Sequence, residues 1–136
     1  MRLRLRGRRI SRGKAEGYAI VSRRPFSFLG DVDVESGRVV AEDSDIRGES
    51  IAGRVFVFPK GRGSTVGTYV LLRMRKRGTA PIAIVNVETE PIIAVGAILA
   101  EIPLIDRLER DPLDVIRTGD YVIVDSEEGW IEVRRD

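Results

Sequence analysis

The stretch "PKGRGST", Pro59 to Thr65, places two hydroxyl groups, two glycines and two basic side chains in one turn. The hydroxyl of Ser64 would act as a base towards a C–H bond only in its ionised form. An alkoxide is negligible in water at neutral pH, so nearby positive charge must stabilise it. Lys60 and Arg62 lie in the same turn, and the start of a following helix adds about half a positive charge. The turn is therefore compatible with a serine base that has no histidine beside it.

The same serine also has a purely structural explanation. Serine is a favoured N-cap residue, and the Ser64 hydroxyl would then accept a hydrogen bond from the first turn of the helix. The motif "GRGST" is neither a Walker phosphate-binding loop nor a GxSxG nucleophile elbow. From the turn alone, both the base and the N-cap remain open.

The chain contains neither cysteine nor histidine. Without cysteine it cannot ligate an iron–sulfur cluster in the usual way or form a disulfide. Without histidine it lacks the commonest general base and metal ligand. We therefore expect no metal and no cofactor in this chain, and any catalysis must use other side chains or groups of a partner.

The composition indicates one globular domain over residues 1–136, with 43% hydrophobic and 32% charged residues. The net charge of only +2 gives no strong attraction to nucleic acid or to a membrane. The longest apolar stretch, "PIIAVGAILA", is too short to span a bilayer. We expect a soluble, cytoplasmic protein with neither a nucleic-acid nor a membrane partner.

Alternation of apolar and polar residues predicts several strands. "RLRLRGRRI" has the period of a half-exposed strand, whose arginines are a solvated face rather than a nucleic-acid patch. "GYAIVS" predicts a second strand, and "SFLGDVDVESGRVV" predicts further strands with turns at Gly30 and at residues 35–37. "IAGRVFVFP" and "IAIVNV" are apolar runs typical of strands buried on both faces.

Two helices are predicted in the second half of the chain. The first follows the glycine turn and ends at Gly78; its apolar stripe comprises Val66, Tyr69, Val70, Leu71 and Met74. The second, "EPIIAVGAILAE", begins at Pro91 and is apolar all round, so we expect it to lie inside the protein. A strand–helix–strand unit implies a parallel pair. The predicted fold is α+β, a small barrel-like sheet covered by two main helices.

Three blocks, "SFLGDVDVESG", "SIAGRVFVFPKGRGSTVGTYVL" and "EPIIAVGAILAEIPLID", occur in an order that resembles the swivel domain of the aconitase X family. The resemblance implies a swivelling β/β/α domain that docks, as the small subunit of a heterodimer, on a larger subunit holding a [4Fe–4S] cluster. In such an enzyme the cluster iron takes the leaving hydroxyl, while a swivel-domain serine accepts a proton from carbon. That serine corresponds to Ser64.

The resemblance also suggests a substrate. Archaeal members of the family dehydrate mevalonate 5-phosphate to trans-anhydromevalonate 5-phosphate, a step of isoprenoid synthesis, whereas the nearest alternative within the family dehydrates hydroxyproline. Arg62, Gly63 and Thr65 match the serine motif and are expected to bind the phosphorylated substrate. One residue departs from the family pattern, because Asp31 stands where glycine is expected.

Two other classes of function remain as alternatives. A small β-barrel with an arginine-rich edge could bind RNA, but only 6% of the residues are aromatic, whereas single-strand binders stack bases on aromatic side chains. The chain could also be a purely structural partner subunit in which Ser64 is a plain cap.

Overall fold

The structure, a computed structural model, describes residues 1–63 and 66–136. These residues form eight strands: β1 (Arg2–Arg6), β2 (Arg8–Ser11), β3 (Lys14–Val21), β4 (Val55–Phe58), β5 (Ala83–Asn86), β6 (Leu104–Asp106), β7 (Tyr121–Asp125) and β8 (Trp130–Arg134). They also form three helices: α1 (Gly67–Arg77), α2 (Pro91–Leu99) and the short α3 (Pro112–Val115).

The strands form one mixed sheet in the order β1-β8-β7-β3-β4-β5-β6-β2. Strands β3, β4, β5 and β6 are parallel to their neighbours within this series, and the remaining pairs are antiparallel. The first and last strands of the order, β1 and β2, are consecutive in the chain and separated only by Gly7. The sheet therefore curls into a barrel-like shape, which confirms the predicted α+β class.

Gly7 is the corner at which the single strand predicted from "RLRLRGRRI" divides into β1 and β2. Its N–H donates to the carbonyl oxygen of Gly129 at 3.0 Å. A Cβ at this position would lie 2.7 Å from both the carbonyl oxygen of Asp106 and Cδ2 of Leu108. Only glycine fits there without a shift of the backbone. Along β1 the predicted alternation is confirmed, with Leu5 buried and the arginines exposed.

Strand β4 separates two apolar clusters. Phe56 and Phe58 point to the cluster beneath α1 and α2, where they pack against Phe26 and Phe28. Val55 and Val57 point to the opposite cluster, which fills the interior between the parallel and antiparallel strands. All four side chains of β4 are fully buried, so the prediction of a strand buried on both faces is confirmed.

Helix α1 connects β4 to β5, and these two strands are parallel as predicted. The helix ends at Gly78, which has the left-handed φ of 79° expected of a C-terminal glycine. Its buried residues are Gly67, Val70, Leu71 and Met74. Val66 and Tyr69 are exposed, so the predicted apolar stripe is wrong at these two positions.

Helix α2 packs against α1 through small residues. A Cβ on Gly96 would lie 3.3 Å from the carbonyl oxygen of Thr68, so the two backbones approach closely. The expectation that α2 lies wholly inside is wrong, because only Ile93, Gly96 and Ala97 are buried within it. Helix α2 forms part of the outer layer, and its other face, with Val95, Ile98 and Leu99, is exposed.

The segment 27–40 forms turns rather than the predicted strands. Within the described residues it makes only isolated bridges, such as Val32 with Val39. The Asp33 carboxylate accepts hydrogen bonds from the Glu35 N–H and the Ser36 hydroxyl, and such local bonds compete with strand pairing. Phe28, Val32 and Val39 are nevertheless buried, which explains why the sequence alternates. No helix among the described residues is both long and apolar enough to cross a membrane.

Replacing Gly7 with Ala should lower the free energy of unfolding by about 1–3 kcal/mol, because the added methyl group meets the Asp106 carbonyl oxygen and the Leu108 side chain in a packed corner. Gly67→Ala is the matched control: its Cβ would make only an ordinary 3.6 Å contact with Ile92, and alanine favours the helix. Urea denaturation of both variants measures the difference. Equal midpoints for the two variants would contradict the assigned role of Gly7.

Candidate active site

Three parallel strands end at one edge of the sheet: β4 at Phe58, β5 at Asn86 and β6 at Asp106. The glycine turn leaves this edge from β4, and the loop that leads into α2 leaves it from β5. In open α/β sheets, ligands bind in the crevice outside the carboxyl ends of the strands. The fold therefore places the turn that precedes Ser64 at the edge where a ligand site is expected.

The glycine turn is fixed to the segment around Phe26 by a short parallel bridge between Phe26 and Gly61. The Phe26 N–H donates to the carbonyl oxygen of Lys60, and the Arg62 N–H donates to the carbonyl oxygen of Phe26, each at 3.0 Å. The ring of Phe26 is itself 2% exposed and packs against Phe56. The turn is thus tied to the hydrophobic core as far as Arg62.

Both glycines of the turn are required by close contacts. A Cβ on Gly61 would overlap Oε1 of Glu90 and Cγ1 of Ile93, at the start of α2. Gly63 has a φ of 99°, and a Cβ there would lie 3.0 Å from Oγ of Ser27. The turn therefore runs between the start of α2 on one side and Ser27 on the other, with no room for larger residues at these two positions.

Arg62 forms an ion pair with Asp31. Its Nη2 donates to both carboxylate oxygens of Asp31, each at 3.2 Å, and lies 3.9 Å from Oδ1 of Asp43. The pair lines a small cavity of about 80 Å³, which Arg24 and Ser44 also line. Arg62 therefore already has a carboxylate partner within the chain, and its contact with substrate stays a prediction.

Ser64 and Thr65 lie outside the described residues, so the predicted base and the predicted substrate contact of Thr65 remain predictions. The N-cap of α1 is Val66, two residues further along the chain. The alternative in which Ser64 is a plain cap of this helix also falls on a residue outside the described range, so it stays a prediction as well. The described members of the predicted site, Arg62 and Gly63, do lie together at the end of the glycine turn.

The start of α2 forms the other side of the turn. The Glu90 carboxylate accepts hydrogen bonds from the N–H groups of Ile92 at 2.9 Å and Ile93 at 2.7 Å. Pro91 occupies the first turn, as predicted from the sequence. Because a side-chain carboxylate already satisfies these N–H groups, the N-terminus of α2 is not available to hold a separate anion.

A buried polar network, which the sequence did not reveal, supports this edge. Asp106 is completely buried and accepts two hydrogen bonds from Arg8, at 2.9 and 2.8 Å, and one from the Thr89 N–H at 2.7 Å. Buried Asn86 donates to the carbonyl oxygen of Phe58 at 3.1 Å and accepts from the Thr89 hydroxyl at 3.2 Å. The signal for it was a polar residue at the end of two apolar strands, in "AIVN" and "LID".

The network sets the charge state of its carboxylate. Burial by itself would raise the pKa of Asp106, but the hydrogen bonds from Arg8 and Thr89 outweigh it and lower that pKa. Asp106 is therefore ionised at neutral pH. It ties β2 and β6 to the loop that carries Glu90, and through Glu90 to the glycine turn.

The model of the aconitase X swivel domain matches residues 4–133. The chain belongs to the aconitase X swivel-domain family. It is 55% identical over 131 residues to the phosphomevalonate dehydratase small subunit of Methanosarcina acetivorans, covering 96% of this chain and 91% of that protein.

Other relatives agree with this assignment. The swivel domain is 54% identical over 126 residues to the phosphomevalonate dehydratase small subunit of Archaeoglobus fulgidus, covering 93% of this chain and 95% of that one. The crystal structure of Thermococcus kodakaraensis aconitase X in its holo-form superposes with a TM-score of 0.93. The sequence identity is 49%, with coverage of 98% of this chain and 99% of that chain. The expected family and its fold are confirmed.

The side chains of this swivel domain do not fit an iron–sulfur cluster. The sequence has no cysteine, and the cluster is normally held by cysteine thiolates. Within residues 1–63 and 66–136, no three carboxylates converge in a group that could hold a metal ion. What the described part of the site offers is a glycine turn, a guanidinium paired with carboxylates and a rigid polar support.

Asp106→Asn should lower the free energy of unfolding by about 1.5–3 kcal/mol at pH 7, because it removes a charged acceptor of two arginine hydrogen bonds. Since folding lowers the pKa of Asp106, this stabilisation is present above about pH 4, the ordinary carboxyl range, and is lost as pH falls through the lowered pKa. Thermal unfolding of wild type and variant should therefore converge on acidification.

The matched control is Asp114→Asn, since the Asp114 carboxylate is 71% exposed and lies 4.0 Å from its nearest cation. This variant should unfold like the wild type at every pH. A difference between wild type and Asp106→Asn that stays constant from pH 7 to pH 3 would show that the Asp106 charge does not stabilise the fold.

Proposed function

We propose that this chain is the small subunit of a hydro-lyase that dehydrates mevalonate 5-phosphate to trans-anhydromevalonate 5-phosphate in archaeal isoprenoid synthesis. One observation carries the proposal: over 96% of its length the chain is 55% identical to a protein named phosphomevalonate dehydratase small subunit. In this function the chain supplies the base, and a larger subunit completes the active site.

We infer that Ser64 is the proton acceptor. In the dehydration a C–H bond breaks and its proton passes to Oγ of Ser64, while the neighbouring C–O bond breaks and the hydroxyl leaves with its electron pair. Two described features support this role. Arg62 places positive charge two residues before the serine, and α1 begins at Gly67, three residues after it. A guanidinium and a helix N-terminus both stabilise an alkoxide.

The larger subunit is the proposed holder of the [4Fe–4S] cluster, since the donor set of this chain does not suit one. An exposed apolar surface supports a partner of this kind. Val66 and Tyr69 at the start of α1, together with Val95, Ile98 and Leu99 of α2, form what we call the apolar face. Part of it lines an open groove of about 450 Å³ between the two helices. Apolar faces of this kind mark interaction sites.

In the chain, the apolar face follows directly on the glycine turn, since Val66 comes two residues after Ser64. An interface there would place the serine near groups held by the larger subunit. An obligate interface typically buries on the order of 2,000 Å² or more, and this face would be its apolar centre. Arg62, Gly63 and Thr65 are the proposed contacts to the phosphorylated substrate.

Ser64→Ala should abolish the dehydration while leaving the assembly and its cluster intact. A general base contributes roughly a hundredfold to ten-thousandfold, and the chain has no histidine or cysteine to replace it. The variant is assembled with the larger subunit, the cluster is checked by its absorbance, and formation of anhydromevalonate phosphate is followed. A turnover above a tenth of the wild-type value would exclude Ser64 as the base.

The same assay separates the two family substrates. The wild-type assembly is offered mevalonate 5-phosphate, unphosphorylated mevalonate and 4-hydroxyproline in parallel. We expect turnover of the phosphorylated compound alone. Preference for hydroxyproline would replace the proposed substrate while leaving the hydro-lyase class intact.

The apolar face generates a separate prediction, for which the chain offers a matched pair of exposed tyrosines. Tyr69 on α1 is 64% exposed, and Tyr18 on β3 is 62% exposed and lies among the antiparallel strands. Tyr69→Asp should prevent co-elution with the larger subunit at micromolar concentration, because the interface core excludes charge. Tyr18→Asp should co-elute normally. Size-exclusion chromatography decides, and equal behaviour of the two variants would argue against this face as the interface.

A further inference from the structure

The pair formed by Asp31 and Arg62 joins two segments that are 31 positions apart in the chain. Asp31 belongs to the loop that follows Phe28, and Arg62 belongs to the glycine turn. Nη2 of Arg62 donates to both carboxylate oxygens, each at 3.2 Å. Asp31 is 9% exposed, so its carboxylate lies in a partly desolvated position where an ion pair is stronger than in open solvent.

Asp31 is held firmly from its own side. Its carboxylate accepts a hydrogen bond from the Ser27 N–H at 2.8 Å, and its own N–H donates to the carbonyl oxygen of Ser27 at 3.2 Å. Its carbonyl oxygen accepts from the N–H groups of Val40 at 2.8 Å and Ala41 at 3.3 Å. These bonds hold the Asp31 carboxylate in position, and the longer side chain of Arg62 reaches across to it.

The glycine turn, in contrast, has little side-chain material with which to hold its position. Gly61 and Gly63 carry none, and the φ of 99° at Gly63 would strain other residues. The Arg62 backbone is tied to Phe26 and its side chain is tied to Asp31. Arg62 thus connects the loop that carries Asp31 to the end of the glycine turn. It immediately precedes Gly63 and Ser64 in the chain.

We propose that Asp31 is a positioning residue of the dehydration: by holding the Arg62 guanidinium it fixes the glycine turn and the charge beside Ser64. This inference rests on the proposed function of Ser64. In this proposal Asp31 does not contact the substrate and acts on the reaction only through Arg62. Without the Asp31 carboxylate, Arg62 keeps its charge, but its guanidinium is no longer held in a defined position.

The test is a double-mutant cycle in the enzyme assembled with the larger subunit, comprising Asp31→Asn, Arg62→Gln and the double variant. Displacement of a catalytic group by about 1 Å can reduce a rate a hundredfold, so Asp31→Asn should lower kcat at least about tenfold. The KM for mevalonate 5-phosphate should change less than about threefold, because Arg62 keeps its charge. In the Arg62→Gln background the same change should lower kcat by less than about twofold, since residues that act as a unit are not additive.

The control is Asp33→Asn in the same loop. The Asp33 carboxylate bonds only to its own turn among the described residues, and its removal should leave kcat within about twofold. Asp31→Glu keeps the charge but displaces it by one methylene group, and serves if the Asn variant does not fold. It too should lower kcat with KM nearly constant.

A second measurement does not depend on the reaction. Hydrogen exchange of the Arg62 amide, which donates to the carbonyl oxygen of Phe26, should be faster in Asp31→Asn and in Arg62→Gln than in the wild type, and unchanged in Asp33→Asn. If Ser64→Ala remains active while this exchange pattern holds, the proposed base is wrong but the anchoring role of Asp31 stands. The proposal would be overturned if the double variant lost kcat by the product of the two single losses. It would also be overturned if Asp31→Asn raised KM with a normal kcat, or if exchange of the Arg62 amide were unchanged in that variant.

Discussion

Parallel pairing of β4, β5 and β6 is the constraint on which the site depends. Parallel neighbours require a crossover connection, and here the crossovers contain α1 and α2. Both helices must therefore start at the same edge of the sheet, beside each other. The strand directions alone bring the glycine turn and the loop carrying Glu90 to this edge. No polar contact between the two segments is needed for that.

The polar contacts then make this edge rigid from two sides. On one side Asp106 joins β2 and β6 to the loop before α2, and Glu90 satisfies the first N–H groups of that helix. On the other side the Phe26 bridge and the Asp31–Arg62 pair hold the glycine turn. A serine base needs such support, because its ionised form is stabilised only by charges held in fixed positions.

The apolar face is the feature of this fold from which we infer a neighbouring subunit. Helix α2 is apolar on all sides, yet only one side is buried within the chain. Exposed Val95, Ile98 and Leu99 cost free energy in water, and a subunit that covered them would recover that cost. The apolar face, whose exposure is unfavourable in the isolated chain, is therefore the surface from which we infer assembly with the larger subunit. In the chain it follows on the glycine turn and the proposed base.

The sequence alone determined the local elements whose signals are short-range. It predicted the buried strand before the glycine turn, the helix ending at Gly78, the start of α2 at Pro91 and the parallel strand pair, because glycine, proline and apolar periodicity act within a few residues. It also carried the family resemblance, and with it the proposed serine. It did not predict the turns of segment 27–40, because buried apolar residues alternate there without strand pairing.

Only the tertiary structure decided which partners the polar residues have. Asp31 meets Arg62 across 31 positions and Arg8 meets Asp106 across 98 positions, and no local pattern specifies such distances. It also decided that α2 lies in an outer layer, because hydrophobicity requires that apolar surface be covered but does not say by which chain. Burial and charge pairing depend on where distant segments meet, and only the packing of strands, helices and loops in three dimensions fixes that meeting.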